Sequence, residues 1–166
     1  MYILSIIDKS FSILTMLDGE SADIPSMQLI LFNDEEDIEY LKIKVDRGCD
    51  FLTSQMFFDN EVFYSFVDRL NSVNINVPVV AGIMPVSNIS QLERIVLLSG
   101  NNLPKTFMNI VDKYQNDPIS FRKASIEFTV KQARDIYANG FNAVHIYSMN
   151  KPDVAKEIQN NLWDIS

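Results

Sequence analysis

The sequence predicts an α/β fold in which short parallel strands alternate with helices that pack outside them. Three observations lead to this prediction. Compact apolar runs alternate with longer segments whose apolar residues recur at helical spacing. Strands that alternate with helices in this way form parallel βαβ units. The chain has 166 residues, which is enough for one packed domain but fewer than the roughly 250 residues of a closed eight-stranded α/β barrel.

The first 34 residues differ in pattern from the rest of the chain. They hold three short apolar runs separated by polar spacers, and the Ile, Leu and Phe content of these runs favours strands. Periodicity alone leaves short buried helices open as the alternative. We therefore divide the chain into an N-terminal segment, 1–34, and a main segment, 35–166. The three runs are Tyr2–Ile7, Phe11–Leu17 and Met27–Phe32.

Turn and capping residues set the limits of the elements predicted in the main segment. Gly48, Gly100 and Gly140 each follow a helix, and prolines or side-chain caps begin most of the helices. The predicted helices are Glu35–Val45 before Gly48, one capped by Asp59 or Asn60, one capped by Ser87 or Asn88 that runs to Leu98, Lys105–Tyr114 after Pro104, Pro118–Ala138 before Gly140, and Pro152–Trp163. The predicted strands are Phe51–Phe58, Val77–Ile83 and Phe141–Tyr147.

Composition excludes several classes of partner. The net charge is −8 and the sequence pI is about 4.5, so the surface repels phosphate backbones and we expect no nucleic-acid partner. No apolar run approaches the ~18 residues of a membrane span, and no basic segment precedes the first run, so we expect neither membrane insertion nor a signal peptide. The single cysteine, Cys49, fits a reducing compartment, and we predict a cytoplasmic location.

The polar residues at the strand ends are the candidates for chemistry, because parallel α/β barrels bind ligands there. Gln55 lies in an apolar run and could bind a heterocycle with mixed donors and acceptors, or simply neighbouring backbone. Gly82 permits either a close approach to a ligand or a tight turn. His145 is the sole histidine, and a structural role is more common for such a residue than catalysis. With a single Cys and a single His, we predict no metal site.

Four segments, taken in order and at their intervals, resemble the methylenetetrahydrofolate reductase family. Residues 37–59 are similar to the fifth helix and sixth strand of the family barrel, and residues 77–88 to its seventh strand and the following loop. Residues 98–104 are similar to a later loop, and residues 145–151 to the eighth strand. The resemblance covers about 130 residues, from 35 to 166. The segments are Asp37–Phe51 continuing into Thr53–Asp59, Val77–Asn88, Leu98–Pro104 and His145–Lys151.

This resemblance implies the fold and the activity. The fold would be a partial (β/α)8 TIM barrel, comprising the last three to four βα units with parallel strands and outer helices. The family binds FAD at the strand carboxyl ends and reduces 5,10-methylenetetrahydrofolate to 5-methyltetrahydrofolate in one-carbon metabolism and methionine biosynthesis. NAD(P)H or another reductant supplies the hydride, and the flavin carries it.

The resemblance also implies site residues, position by position. Gln55 matches a glutamine that hydrogen-bonds the folate pterin, Gln91 a glutamine near the glutamate tail, and Tyr147 a tyrosine of the substrate pocket. Lys151 stands where the family has an arginine, so the positive charge is kept but the bidentate fork is lost. The cofactor-binding positions, which hold FAD in the family, are Asp37 and Lys44.

The catalytic residue remains unassigned, because the family's acidic Glu belongs to strands that residues 1–34 do not match. We therefore expect an oxidoreductase chain that is weak or inactive on its own. The alternative is a non-catalytic half-barrel that self-associates as a homo-oligomer or pairs with a partner chain. The N-terminal runs could instead fold over the open edge. A third possibility is a module that binds folate or flavin without turnover.

Overall fold

The computed structural model describes residues 3–7, 11–15, 27–30, 35–92, 95 and 103–163, with side-chain environments from residue 38 onward. Six strands and five helices have defined bounds within these ranges. The strands are β1 Ile3–Ile7, β2 Phe11–Thr15, β3 Met27–Ile30, β4 Phe51–Ser54, β5 Val79–Ile83 and β6 Ala143–Ile146. The helices are α1 Glu35–Asp46, α2 Asn60–Ser72, α3 Lys105–Tyr114, α4 Pro118–Ala138 and α5 Pro152–Trp163, and a 3-10 turn spans Ile89–Gln91.

The strands form one six-stranded sheet in the order β2-β1-β6-β5-β4-β3. Neighbours from β3 to β6 pair in parallel and follow the chain order, as successive strands of a barrel do. Each of these four strands is followed by helical structure. The prediction of a partial (β/α)8 barrel with its last three to four βα units is therefore confirmed, at four units.

The N-terminal runs complete the sheet at its other side. All three are strands, as predicted. β1 and β2 form an antiparallel hairpin, and β1 pairs antiparallel with β6, with Ser5 opposite His145 and Ile7 opposite Ala143. The third run, β3, is the fourth parallel strand. The hairpin thus occupies the edge of β6 that a continuing barrel would leave for another parallel strand.

The main core lies between the sheet and the helices α4 and α5. Val144 and Ile146 of β6 share this side because alternate residues of a strand face the same way. Both are fully buried. A second cluster joins α1 and α2 to β4 through Leu41, Leu52 and Phe66. A third cluster covers the carboxyl ends of the strands; its buried members are Phe58, Met84, Val86, Ile95, Phe107 and Phe121.

Local chemistry explains where the helices begin and end. Asp59 caps α2, and its side chain accepts a hydrogen bond from the Glu61 N–H group. Asp117 caps α4 in the same way, with Pro118 in the first turn. Gly48 after α1 and Gly140 after α4 have φ angles of +95° and +89°, the left-handed conformation that glycine adopts without strain.

Several predicted limits were wrong. The strands predicted to reach Phe58 and Tyr147 end at Ser54 and Ile146, because the apolar residues that follow β4 pack against helices in a loop. The limits of α3, Lys105–Tyr114, are as predicted, but Pro104 is its cap and not a residue of its first turn. The predicted helix from Asn88 to Leu98 begins as a 3-10 turn capped by Asn88, and residues 93, 94 and 96–102 lie outside the described residues. Among the described residues, no helix is both long and apolar enough to cross a membrane.

Candidate functional site at the carboxyl ends of the strands

Three neighbouring strands, β4, β5 and β6, bring their carboxyl ends to the same edge of the sheet. Tyr147 directly follows β6, and its N–H group donates to the Ile83 carbonyl at 2.9 Å, which extends the ladder by one residue. The Tyr147 side chain extends across β5, and its hydroxyl donates to the main-chain carbonyl of Ser54 at 3.0 Å. One side chain therefore links the ends of β6 and β4.

Ser54 makes two further hydrogen bonds at this edge. Its hydroxyl accepts from the N–H group of Gly82 at 2.8 Å and donates to the main-chain carbonyl of Gln55 at 2.9 Å. Gln55, the predicted pterin-binding residue, comes next in the chain and is half-buried. Gln55 and Tyr147 are therefore both held at the strand ends through Ser54.

Gly82 is required by close packing in this arrangement. A Cβ atom at this position would collide with the Ser54 carbonyl oxygen and lie 2.8 Å from Cε2 of Tyr147. Gly82 lies inside β5 and pairs with His145 of β6, so the tight-turn explanation for this glycine is wrong. The missing side chain instead allows β4 and the Tyr147 ring to approach β5.

A lysine side chain supplies a positive charge in the next loops along the same edge. The Lys151 ammonium group donates to the Ser87 hydroxyl at 2.6 Å, which joins the loop after β6 to the loop after β5. Met149 and Asn150 have φ angles of 50° and 62°, and the Lys151 N–H group donates to the Ser148 carbonyl at 3.0 Å. This tight turn directs Lys151 toward the loop after β5, where its positive charge could bind a carboxylate.

The other predicted ligand residues lie farther from this cluster. Gln91 is exposed at the end of the 3-10 turn, in the loop that also holds Ser87. Lys44 is exposed in the last turn of α1. Asp37 is in the first turn, about 10 Å away along the helix axis, and its side chain lies outside the described residues. The structure thus brings Gln55, Tyr147 and Lys151 to one edge, while Lys44 lies in the last turn of α1, away from this cluster.

Burial sets the protonation states at the strand ends. His145 is 1% exposed, and burial lowers its pKa to about 4, so the imidazole is neutral at pH 7 and a poor proton acceptor. Its ring meets the Tyr147 ring edge-on at 4.5 Å between centroids. Burial raises the pKa of Tyr147 to about 12. His145 therefore acts as packing for the Tyr147 ring, as its pattern in the sequence favoured.

Sequence reasoning missed the two serines that organise this edge. Ser54 and Ser87 both lie in the strand-end segments noted above, but no periodic or compositional signal distinguishes them. Their roles depend on partners 28 and 64 residues away in the chain. A separate groove of about 700 Å³ lies between the start of α2 and helices α3 and α4. Its walls include Asn60, Ile110, Lys113, Phe128 and Lys131.

Comparisons with known proteins show which family the chain resembles. A family model described as methylenetetrahydrofolate reductase matches residues 11–163. The match begins well before residue 35, so it includes β2 and β3, which precede the segments, from Asp37 onward, that carry the resemblance. The division of the chain at residue 34 stays a prediction.

Curated relatives carry the same name. The chain is 34% identical over 128 residues to methylenetetrahydrofolate reductase 1 of Schizosaccharomyces pombe, covering 77% of this chain and 21% of that protein. It is 30% identical to methylenetetrahydrofolate reductase (NADH) 1 of Arabidopsis thaliana, covering 77% and 22%. It is 28% identical to 5,10-methylenetetrahydrofolate reductase of Pectobacterium carotovorum, covering 77% and 43%. The chain therefore spans less than half the length of each of these relatives.

A solved structure gives a weaker likeness. This structure, an uncharacterized protein from Clostridium thermocellum described as binding two copies of 5-methyl-5,6,7,8-tetrahydrofolic acid, superposes with a TM-score of 0.48 at 15% identity. The superposition covers 81% of this chain and 51% of that chain. At this level the likeness bears on neither the fold nor the ligand of the present chain.

Proposed function

Because the chain belongs to the methylenetetrahydrofolate reductase family, we propose that its strand-end cluster binds the pterin ring of a folate and serves the reduction of 5,10-methylenetetrahydrofolate to 5-methyltetrahydrofolate. The single observation that carries the proposal is the convergence of Gln55, Tyr147 and Lys151 at the carboxyl ends of β4–β6. We also propose a cytoplasmic location, in keeping with the single cysteine and the role in methionine biosynthesis.

The chemistry of these side chains suits a folate. The Gln55 amide offers both a donor and acceptors, which match the mixed edge of a pterin. Tyr147 offers an aromatic ring beside Gly82. Lys151 supplies a positive charge for the glutamate carboxylates, and the exposed Gln91 extends the path of the tail. Flat ligands with one charged end bind well to such a combination of apolar wall and few polar groups.

The residues on α1 fit the flavin that the family uses. Lys44 is exposed, so its ammonium group can approach a phosphate as a compact point charge. Asp37 lies two helical turns earlier on the same face. When bound, FAD would supply the hydride chemistry, with NAD(P)H or another reductant as the donor. The chain's own residues then bind and orient the cofactor and the folate.

We propose that this chain has little activity by itself. The resemblance assigns the family's acid to strands that residues 1–34 do not match, and loss of a general acid costs roughly 10²–10⁴-fold in rate. The second candidate function is a non-catalytic half-barrel that pairs with another chain. The position of β3 at the end of the strand order favours it, because an edge strand can accept a further strand.

The test is calorimetric titration of the purified chain with 5-methyltetrahydrofolate, before and after incubation with FAD and desalting. We expect binding of the folate, a decrease of about tenfold in affinity in Gln55→Ala from the loss of the amide hydrogen bonds, and no decrease in the matched surface variant Gln115→Ala. The Lys44→Ala variant should lose flavin absorbance after desalting and keep its folate affinity.

Two outcomes would count against the proposal. Folate binding that is unchanged in Gln55→Ala would remove the pterin assignment. A wild-type chain that binds neither folate nor flavin, and whose mass from light scattering is a multiple of 19.0 kDa, would favour the half-barrel assembly instead.

A further inference from the structure

We propose that Ser54 is a positioning residue that fixes Tyr147 and Gln55 at the folate edge through its hydroxyl and its carbonyl group. The inference rests on the proposed function, because it gives a role to a side chain that itself need not touch the ligand. Ser54 is 0% exposed, so it acts only through its neighbours.

The hydroxyl and the main-chain carbonyl of Ser54 both make hydrogen bonds to residues of this edge. Its hydroxyl accepts from the Gly82 N–H group at 2.8 Å and donates to the main-chain carbonyl of Gln55 at 2.9 Å. Its main-chain carbonyl accepts from the Tyr147 hydroxyl at 3.0 Å. One residue therefore connects β4, β5 and β6 at the level where the two ligand residues leave the sheet.

The Ser54–Gly82 hydrogen bond sets the distance between β4 and β5 at this level. The main-chain pairing of β4 with β5 ends at Thr53 and Val80, so beyond this level the side chain of Ser54 connects the two strands. The Tyr147 ring lies over Gly82 with no room for a Cβ atom. Any change in the separation of the two strands must therefore move the Tyr147 ring.

Tyr147 is held at three points by this arrangement. Its hydroxyl donates to Ser54, its ring lies against Gly82, and the His145 ring meets it edge-on. Because the proton of the hydroxyl is used within the protein, the ring itself is the part offered to a flat ligand. A ring that is fixed before binding loses less conformational entropy when a ligand stacks on it.

The neighbouring residue shows that this role is specific to Ser54. Thr53 is in the same strand and equally buried, at 1% exposure, but its hydroxyl has no hydrogen-bond partner. Thr53 and Ser54 point to opposite sides of the strand. A buried hydroxyl in β4 is therefore not enough to order the site, and Thr53 offers a matched control in the same strand.

The test compares Ser54→Ala, Ser54→Thr and Thr53→Val in the full chain, with two measurements. The first is the NMR signals of the Tyr147 ring, identified by their absence in Tyr147→Phe. The second is the affinity for 5-methyltetrahydrofolate and for p-aminobenzoylglutamate, which lacks the pterin. We expect Ser54→Ala to shift the Tyr147 signals, to weaken the pterin ligand about tenfold and to leave the pterin-free ligand unchanged. Ser54→Thr keeps the hydroxyl and should restore both, and Thr53→Val should match the wild type.

The outcomes separate the two proposals. Tyr147 signals and pterin-dependent affinity that are the same in Ser54→Ala as in the wild type would overturn the role of Ser54. Equal loss of both ligands would overturn it as well, because a merely structural defect has that effect. If Ser54→Ala does not fold, the same two measurements on Ser54→Cys and Ser54→Thr are compared instead. If the wild type binds no folate, the proposed function fails, while the Tyr147 signals still decide whether Ser54 positions that ring.

Discussion

The Tyr64 hydroxyl donates a hydrogen bond to Oδ2 of Asp135 at 2.6 Å, which joins α2 to the last turns of α4. The Asn60 amide donates to the same oxygen at 2.7 Å, and the Asn139 amide donates to the Tyr64 hydroxyl at 3.1 Å. The bonds from Tyr64 and Asn60 hold the pKa of Asp135 below its usual value. Burial and the Asp135 carboxylate together raise the pKa of Tyr64. This cluster fixes α2, the helix that follows β4.

Tyr64→Phe should lower the free energy of unfolding by about 1 kcal/mol, the usual net value of one hydrogen bond. The ring stays in place because it stacks on Phe141 at 5.7 Å between centroids. Arg122→Ala is the control: it removes ion pairs to Asp153 and Glu157 at the surface, which are worth about 0.5 kcal/mol or less. Urea unfolding measures both, and a larger loss in Arg122→Ala would contradict the prediction.

Thr53→Val should stabilise the protein by about 1 kcal/mol. The Thr53 hydroxyl is buried without a partner, so its replacement by a methyl group removes a desolvation cost. Thr129→Val is the matched case with the opposite expectation, because the equally buried Thr129 hydroxyl donates to the Ser125 carbonyl at 3.0 Å. Thermal unfolding of the two variants should change in opposite directions. A stabilised Thr129→Val beside a destabilised Thr53→Val would refute this reasoning.

Gly82→Ala should cost about 3 kcal/mol, at the upper end of what overpacking a core usually costs. The new Cβ atom meets the backbone of β4, which cannot move aside as a flexible side chain could. Gly140→Ala provides the comparison: no atom lies within 4 Å of its Cβ position, and only its φ of +89° is unfavourable, at about 1 kcal/mol. Denaturant midpoints should fall further for Gly82→Ala; the reverse order would show that β4 and β5 can separate easily.

Stability should fall in mild acid because of His145. Burial lowers its folded-state pKa to about 4 from the ordinary 6.5, so the unfolded chain takes up the proton first as the pH falls. The stability linked to neutral His145 is complete above pH 6.5 and is lost progressively toward pH 4. Between about pH 7.5 and about pH 5 we expect a loss of about 2 kcal/mol.

The His145→Asn variant isolates this effect. Its unfolding free energy should depend much less on pH over the same window, whatever its absolute stability. Ser125→Ala, a buried change without a titrating group, should keep the wild-type dependence. Parallel slopes for the wild type and His145→Asn in urea unfolding would assign the acid sensitivity to other groups.

Local patterns in the sequence are enough to predict most elements of the fold. The helical spacing of Ile38, Leu41 and Val45, followed by Gly48, predicts α1, and the structure places it at Glu35–Asp46. The pairing of β1 with β6 could not be predicted in this way, because register between distant strands depends on tertiary packing. The strands were predicted too long for the same reason: Phe57 and Phe58 are apolar because they pack on helices, not because they extend β4.

The candidate site was predictable where it depends on position in a strand. Gln55 and Tyr147 follow β4 and β6, and in a parallel sheet those ends share one edge. The hydroxyl bonds of Ser54 and Ser87 were not predictable, because serine is common in loops and a hydrogen bond leaves no periodic pattern. The roles of Gln91 and Lys44 stay predictions that rest on the family resemblance.

The antiparallel seam between β1 and β6 separates the folding of the sheet into an early and a late event during translation. The β1–β2 hairpin is local and can close soon after it leaves the ribosome, but Ile7 can pair with Ala143 only when all of the intervening chain has been made. Until then the hairpin carries an open edge that other nascent chains can join. The yield of folded protein should therefore depend on how quickly the codons leading to β6 are read.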